Sequence, residues 1–295
     1  MESFTYPRYV GWQVDLQNRL DANLCFGKKT SKKIQKTILL LEKEGYTFKT
    51  EPVQEELLKK FLPLYRKNIS EKENPKFFDV PTELQKNSKK EDSQIEALSL
   101  YYGTTYVGGV IYRVVADSIK INYRVFQKEL FKSFPITPSI VSDFFIYQKA
   151  IDLKKEFVTH GKDSNLYGLH SSIGLALFKI QSGCYPKVSK DCPIFFTRKK
   201  SDLKAEDTQQ ICSDPTYTLD YTQNFFLTKN DILVFLGEKQ NEKIQKAILF
   251  LKNTDEETLK KYELLFNNPH FTTEIVTIGE QSPAQNPLLQ NDREQ

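Results

Sequence analysis

The chain is poor in the residues that mark metalloproteins, secreted proteins and membrane proteins. Of 295 residues only 4 are cysteine and 3 are histidine. Cys25, Cys184, Cys192 and Cys212 form no CxxC pair, so a zinc site would have to gather its ligands from distant segments. No metal is therefore expected, and the cysteines read as reduced thiols of a cytoplasmic protein. No apolar run reaches the roughly 18 residues that a membrane-spanning helix needs. The opening MESFTYPRYVGWQ also lacks the basic-then-apolar order of a signal peptide. A soluble, cytosolic protein without membrane partners is the expectation. Charge asymmetry is missing too. The 42 basic and 38 acidic residues leave a net charge of +4, which gives little long-range attraction for nucleic acid. There is no GxGxxG loop and no recognisable nucleophile–base pair.

What the chain does have is 39% hydrophobic and 13% aromatic residues, enough for one large core or two modest ones. Residues 1–28 read as an irregular extension with Trp12 and Phe26 as packing points. A helix follows, capped by Thr30 or Ser31, with Ile34, Ile38 and Leu41 on one face and Gly45 at its end. Lys32, Lys33 and Lys36 give this helix a basic face, read either as solvated or as a contact for RNA or an anionic donor. YTFKT (46–50) alternates like a strand, and Val53, Leu57, Phe61 and Leu64 restore helical spacing. The polar tract 71–92 reads as a loop with room for a short helix. Three strand-like runs at 95–102, 106–115 and 118–126 are separated by turns short enough for an antiparallel meander. Gly108 and Gly109 mark a bulge or a close backbone approach within it. The segment PSIVSDFFIYQKAIDLKKEF then switches to helical period, with Pro138 and Ser139 at its start and Ile140, Phe144, Tyr147 and Ile151 on one line.

Beyond this, FVTH (157–160) reads as a brief strand ended by Gly161. Ser171 or Ser172 is placed to cap a helix that stops at Gly183 in a left-handed turn, and two closing strands follow. Residues 198–216 read as a polar linker. ILVFL, AILFL and EIVTI, with a helical segment between the last two, predict a small α/β domain over 217–279. Residues 280–295 have the composition of a flexible tail.

This element order, with KKIQKTILLLEKEGYTFKTEP at 32–52 and GKDSNLYG followed by GLALFKIQSGCYP near 161–186, resembles the GNAT N-acyltransferase superfamily in its FemAB-related branch. The resemblance covers residues 29–197. It implies an α/β fold with a GNAT-like mixed, mostly antiparallel central sheet flanked by helices, here with the small C-terminal α/β appendage. It also implies transfer of an acyl group from an activated donor, acyl-CoA as cosubstrate or aminoacyl-tRNA, to a small-molecule amine acceptor by direct attack. The alternative is a GNAT-shaped binding module without turnover, whose appendage recruits a partner. In such a fold two parallel strands part to admit the donor, here SIKINYRVF and the strand ending at His160.

The resemblance places Thr137 and Ser139 at a helix N-terminus facing the donor phosphates, where the helix dipole favours anions, and Arg124 on the strand lining the donor. Asp163, Tyr123 and His160 are the catalytic candidates, as proton acceptor, proton donor and general base. Asn165, Ser172 and Lys179 are the candidates for substrate contact. Each has a plainer reading: an Asx-turn for Asp163, turn formation for Asn165, a buried or exposed structural histidine for His160, strand packing for Tyr123, and a solvated helix lysine for Lys179. Cys184 reads as a small core residue. The connection FQKELFKSFPITPSIV holds no glycine, so its backbone cannot wrap a phosphate closely.

Overall fold

The computed structural model describes residues 3–71, 77–88, 93–164, 173–189, 195–199, 231–238, 243–252, 255–266 and 269–278. The N-terminal segment is not irregular. It holds strands β1 (Ser3–Pro7) and β2 (Tyr9–Asp15), and in β2 buried residues alternate with half-buried ones, with Trp12 among the buried. Its alternation YVGWQVD is masked in the sequence by Gly11 and by the tryptophan. Helix α1 (Lys28–Lys43) begins earlier than Thr30, with Gly27 as the N-cap, and buries Ile34, Thr37 and Leu41. Gly45, at φ 84°, turns the chain into β3 (Tyr46–Pro52).

Helix α2 (Glu55–Ser70) buries Leu57, Phe61 and Tyr65 at i, i+4 and i+8, and the polar tract contributes the short α3 (Val80–Ser88). The meander is β4 (Gln94–Tyr102), β5 (Thr105–Val114) and β6 (Ser118–Phe126), all antiparallel. Gly108, at φ 152°, is a close approach. A Cβ there would lie 2.5 Å from the Val125 carbonyl oxygen, so only glycine lets β5 and β6 stay paired. Next come α4 (Pro138–Asp152), β7 (Phe157–Ser164), α5 (Ile173–Gln181) and β8 (Tyr185–Val188). The chain continues with β9 (Phe195–Lys199), β10 (Asp231–Gly237), β11 (Ile244–Lys252), α6 (Glu256–Leu265) and β12 (Thr272–Ile278).

Gly161 does not end β7. It adopts φ 79° and the strand runs on, so Asp163 is a strand residue and not a loop residue.

The chain divides into two compact units. The one built from Gly11–Lys162 and Phe178–Pro186 contains most of a seven-stranded sheet in the order β3-β4-β5-β6-β7-β2-β8. Successive residues of a strand face opposite ways, and the two sides are covered by different helices. Ala97, Ile111 and Val125 pack with Leu57 and Phe61 under α2, with Tyr123 against the same cluster. On the other side Leu98 lines a cavity with residues of α1 and α4. This mixed, mostly antiparallel sheet between helices is the GNAT-like architecture that the resemblance implies.

The second unit, from Met1–Val10, Asp163–Leu177 and Lys187–Gln295, holds the small α/β element read from the C-terminal sequence. Its sheet is β10-β11-β12, with β10 antiparallel and β12 parallel to β11. The parallel step is bridged by α6, whose N-cap Asp255 accepts from the Thr258 amide at 2.7 Å. The run 195–199 does not close the main sheet. As β9 it pairs antiparallel with β1.

Candidate functional site

Strands β6 and β7 are parallel and pair only at Ser118–Phe157, Ile119–Val158 and Lys120–Thr159. Beyond these, β6 runs on to Phe126 and β7 to Ser164 with no further pairing between them among the described residues. The cause is local. In the β5–β6 ladder Ile111 opposes Tyr123 while Tyr112 opposes Ile121, so Asn122 is an extra residue on β6. Such a bulge bends its strand and re-aims the chain, and this one follows the last paired residue, Lys120, by two positions. The Asn122 Oδ1 is buried and has no hydrogen-bond partner among the described residues.

His160 is the first residue of β7 beyond the paired stretch. Its side chain is 3% exposed, and its Nε2 lies 2.7 Å from the Tyr147 hydroxyl. Tyr147 has one proton, and its hydroxyl is placed to donate to the Ser182 carbonyl at 2.8 Å. That geometry assigns the imidazole proton to Nε2, which then donates to Tyr147 and leaves the lone pair on Nδ1. Burial holds the imidazole well below its ordinary pKa, and the nearby Arg124 and Lys179 charges push the same way. The ring is neutral at neutral pH.

Arg124 projects from β6 to the α4 side and forms an ion pair with Asp143, whose side chain is 0% exposed. The second Asp143 oxygen accepts from the Ser182 hydroxyl at 2.8 Å, and Asp143 Oδ1 lies 4.0 Å from His160 Nε2. Burial pushes the Asp143 carboxyl up, against the pull of Arg124 and Ser182. The guanidinium also stacks 5.0 Å from the Phe178 ring centre, and its Nε has no partner among the described residues.

Ser182 is presented by the end of α5. The Cys184 amide donates to the Lys179 carbonyl and the Gly183 amide to that of Ile180, both at 2.9 Å. This is a Schellman turn with Gly183 as the left-handed residue at φ 80°. It leaves the Ser182 carbonyl without a helical partner, and Tyr147 supplies one. Cys184 is buried beside the Tyr147 hydroxyl at 3.8 Å, and burial raises its thiol pKa far out of the nucleophilic range.

The structure therefore brings together three of the sequence-derived candidates, Arg124, His160 and Lys179. Lys179 is not a solvated lysine. It is 5% exposed, with its ammonium 5.3 Å from the Trp12 ring centre. Tyr123 stands apart, on the opposite face of β6, edge-on to Tyr65 at 6.0 Å, with burial pushing its hydroxyl pKa up to about 12. Asp163 is half-buried on β7 in the other unit. Asn165 and Ser172 lie outside the described residues.

The sequence reading missed Asp143, Tyr147 and Ser182 as polar members of the site. A signal for the first was present. Asp143 falls on the buried stripe Ile140–Asp143–Tyr147–Ala150 of α4, a carboxylate at a core position where charge is tolerated only with a partner.

Thr137 is the N-cap of α4, and Pro138 occupies the first turn. Both line a cleft of about 640 Å3 together with Ser139, Lys33 of α1 and the pair Lys128 and Lys132. Phe126, Phe131, Phe134 and Phe178 supply its apolar wall. The helix N-terminus and Lys33 favour an anion here, while Lys128 pairs with Glu71 at 3.8 Å and Lys132 with Glu129, so an anion would share these two lysines with exposed carboxylates. Among the described residues no group of three or more His, Cys, Asp or Glu is placed to hold a metal ion, and no helix is long and apolar enough to cross a membrane.

No protein-family model matches the sequence, and comparison with curated proteins finds no match. Similar solved structures include L-PGS from Bacillus licheniformis, at 17% identity over 60% of this chain and 54% of that one, with a TM-score of 0.39. FemX is 13% identical over 62% of this chain and 60% of its own, at 0.46. A tandem GNAT protein from the clavulanic acid biosynthesis pathway is 9% identical over 66% and 55%, at 0.38. The chain thus spans less than two thirds of the length of each.

Proposed function

We propose that this protein is an acyltransferase that moves an acyl group from a phosphate-bearing activated donor, an acyl-CoA thioester, to the amine of a small acceptor. The observation that carries the reading is the bulge at Asn122, set where β6 and β7 separate. Backbone groups on the parted edge of β6 have no strand pairing to β7 among the described residues and could donate to a carbonyl whose oxygen gains charge during attack. The basic cleft at the start of α4 would hold the donor's phosphates through Lys33, Lys128, Lys132 and the helix amides around Ser139.

Attack is direct: the amine nitrogen bonds to the acyl carbon, the carbon–sulfur bond breaks, and the thiolate leaves with a proton. His160, neutral and unprotonated at Nδ1, is the proposed acceptor of the amine proton. The Tyr147–Ser182–Asp143–Arg124 chain fixes its ring. Burial first, and then the positive charges of Arg124 and Lys179, keep the imidazole unprotonated before the amine arrives.

A second donor, aminoacyl-tRNA, is favoured by one feature. The glycine-free connection 127–139 cannot wrap a phosphate with its own backbone, so beyond the helix amides the contact falls to lysine side chains, a mode that serves a nucleic-acid backbone equally well.

The test is release of free thiol from a panel of acyl-CoA species in the presence of mixed amines, beside a parallel reaction with charged tRNA. Amine-dependent thiol release that is lost in His160→Gln supports the thioester reading. Transfer only from tRNA selects the second donor. Turnover from neither leaves a GNAT-shaped binding module and overturns the proposal.

A further inference from the structure

A second cavity, of about 460 Å3, lies in the same unit between α1, the C-terminal half of α4 and strands β3 to β5. Apolar and aromatic side chains make up most of its wall, with polar and charged groups among them. Leu41, Leu98 and Ile146 line it, and the rings of Phe48 and Phe145 meet there at 5.1 Å between centres.

Tyr112 is a buried member of the lining. Its hydroxyl donates to Glu96 at 2.7 Å, and the Lys149 ammonium pairs with the same carboxylate while lying 5.5 Å from the Tyr112 ring centre. The cavity thus already seats one ammonium against a carboxylate and an aromatic face, and that pair is electrically neutral. Two more carboxylates, the exposed Glu42 and Asp152, also line the cavity. Lys149 is the only cation among the described lining residues.

The sign of this charge decides among occupants. A carboxylate would meet two carboxylates that form no ion pair among the described residues, Asp152 accepting only from the Gln148 amide at 2.9 Å, and a neutral hydrocarbon would leave them unused. An ammonium gains from both, and its apolar body gains from the aromatic walls. At roughly 30 Å3 per water-sized unit the volume admits about fifteen non-hydrogen atoms.

We propose that this cavity binds an organic cation, a primary amine with one aromatic or branched apolar body, at a site separate from the basic cleft. The site is read from its own walls and charges and does not depend on acyl transfer. Binding, and not turnover, therefore tests it.

The experiment is calorimetric titration of the full chain with phenethylamine and with hydrocinnamate, which are similar in size and opposite in charge. The amine should bind saturably, with the carboxylate weaker by at least about tenfold, or about 1.4 kcal/mol. The double variant Glu42→Gln/Asp152→Asn changes only exposed side chains, and its circular dichroism should match the parent. In it the amine should weaken by at least about tenfold and the preference for positive charge should vanish. Equal binding of the two probes, no binding of the amine at millimolar concentration, or unchanged amine affinity in the double variant would each overturn the proposal.

Discussion

Arg124 and Asp143 form an ion pair between β6 and α4 in which the carboxylate is wholly buried and the guanidinium side chain keeps 15% exposure. The carboxylate has no access to water, so its charge depends on Arg124 and on the Ser182 hydroxyl.

Asp143→Ala should therefore destabilise the protein by about 3–5 kcal/mol, because it strands a partly buried guanidinium. Arg124→Leu/Asp143→Leu should recover much of that loss, since an apolar pair needs no desolvated charge. Urea unfolding of the three proteins measures both. A cost for Asp143→Ala within about 0.5 kcal/mol of the parent, the range of an ordinary surface change, would show that the pair does not hold this junction.

His160 predicts an acid-side loss of stability. Its folded pKa lies below the unfolded value of about 6.5, so the unfolded chain takes up a proton that the folded protein refuses. The contribution is fully present above that pH and is lost as pH falls through about 6.5 toward the folded value. Asp143, whose folded pKa is raised, acts in the opposite sense. It loses stability as pH rises through that value. His160→Gln should flatten the decline of the urea midpoint on the acid side of pH 6.5, and an unchanged slope would contradict a buried neutral imidazole.

Gly183 and Gly161 make a matched pair. Both have positive φ, 80° and 79°, but a Cβ at Gly183 would lie 2.0 Å from the Cys25 carbonyl oxygen, while at Gly161 nothing stands within 4 Å. Gly161→Ala should cost only the left-handed backbone penalty of about 1–2 kcal/mol. Gly183→Ala should cost clearly more, and thermal melting ranks the two. The opposite order would mean that the turn after α5 relaxes freely.

In the basic cleft, Lys33→Ala/Lys128→Ala/Lys132→Ala should raise the KM for the donor by at least about tenfold and leave kcat within about threefold, since under the proposed reaction these lysines would hold the donor's phosphates away from the reacting atoms. Added salt should raise the parent KM steeply and the variant KM little. A fall in kcat at constant KM would place the lysines elsewhere in the reaction.

Much of the fold was legible in the order of the residues. The period-2 runs at 95–126, the amphipathic helix from Pro138, the glycine stop at 183 and the three C-terminal strands with their helix all appear where the sequence reading puts them. These are local signals. β2 was missed because its alternation is short and interrupted. Gly161 misled because a glycine at positive φ is as compatible with a kinked strand as with its end.

The site was legible only in fragments. His160 stood out by type, and the resemblance pointed to Arg124 and Lys179. Asp143 carried a signal, a carboxylate on the buried stripe of α4, but its partner Ser182 lies 39 residues away and looks ordinary in the sequence.

What the chain's linear order determined, then, is which segments become helix or strand and which faces they bury, since propensity, capping and period act over a few neighbours. What only the tertiary structure decided is the parting of β6 from β7, the partners of the buried charges and the signs of their pKa shifts. Those depend on desolvation and on groups brought together from distant parts of the chain.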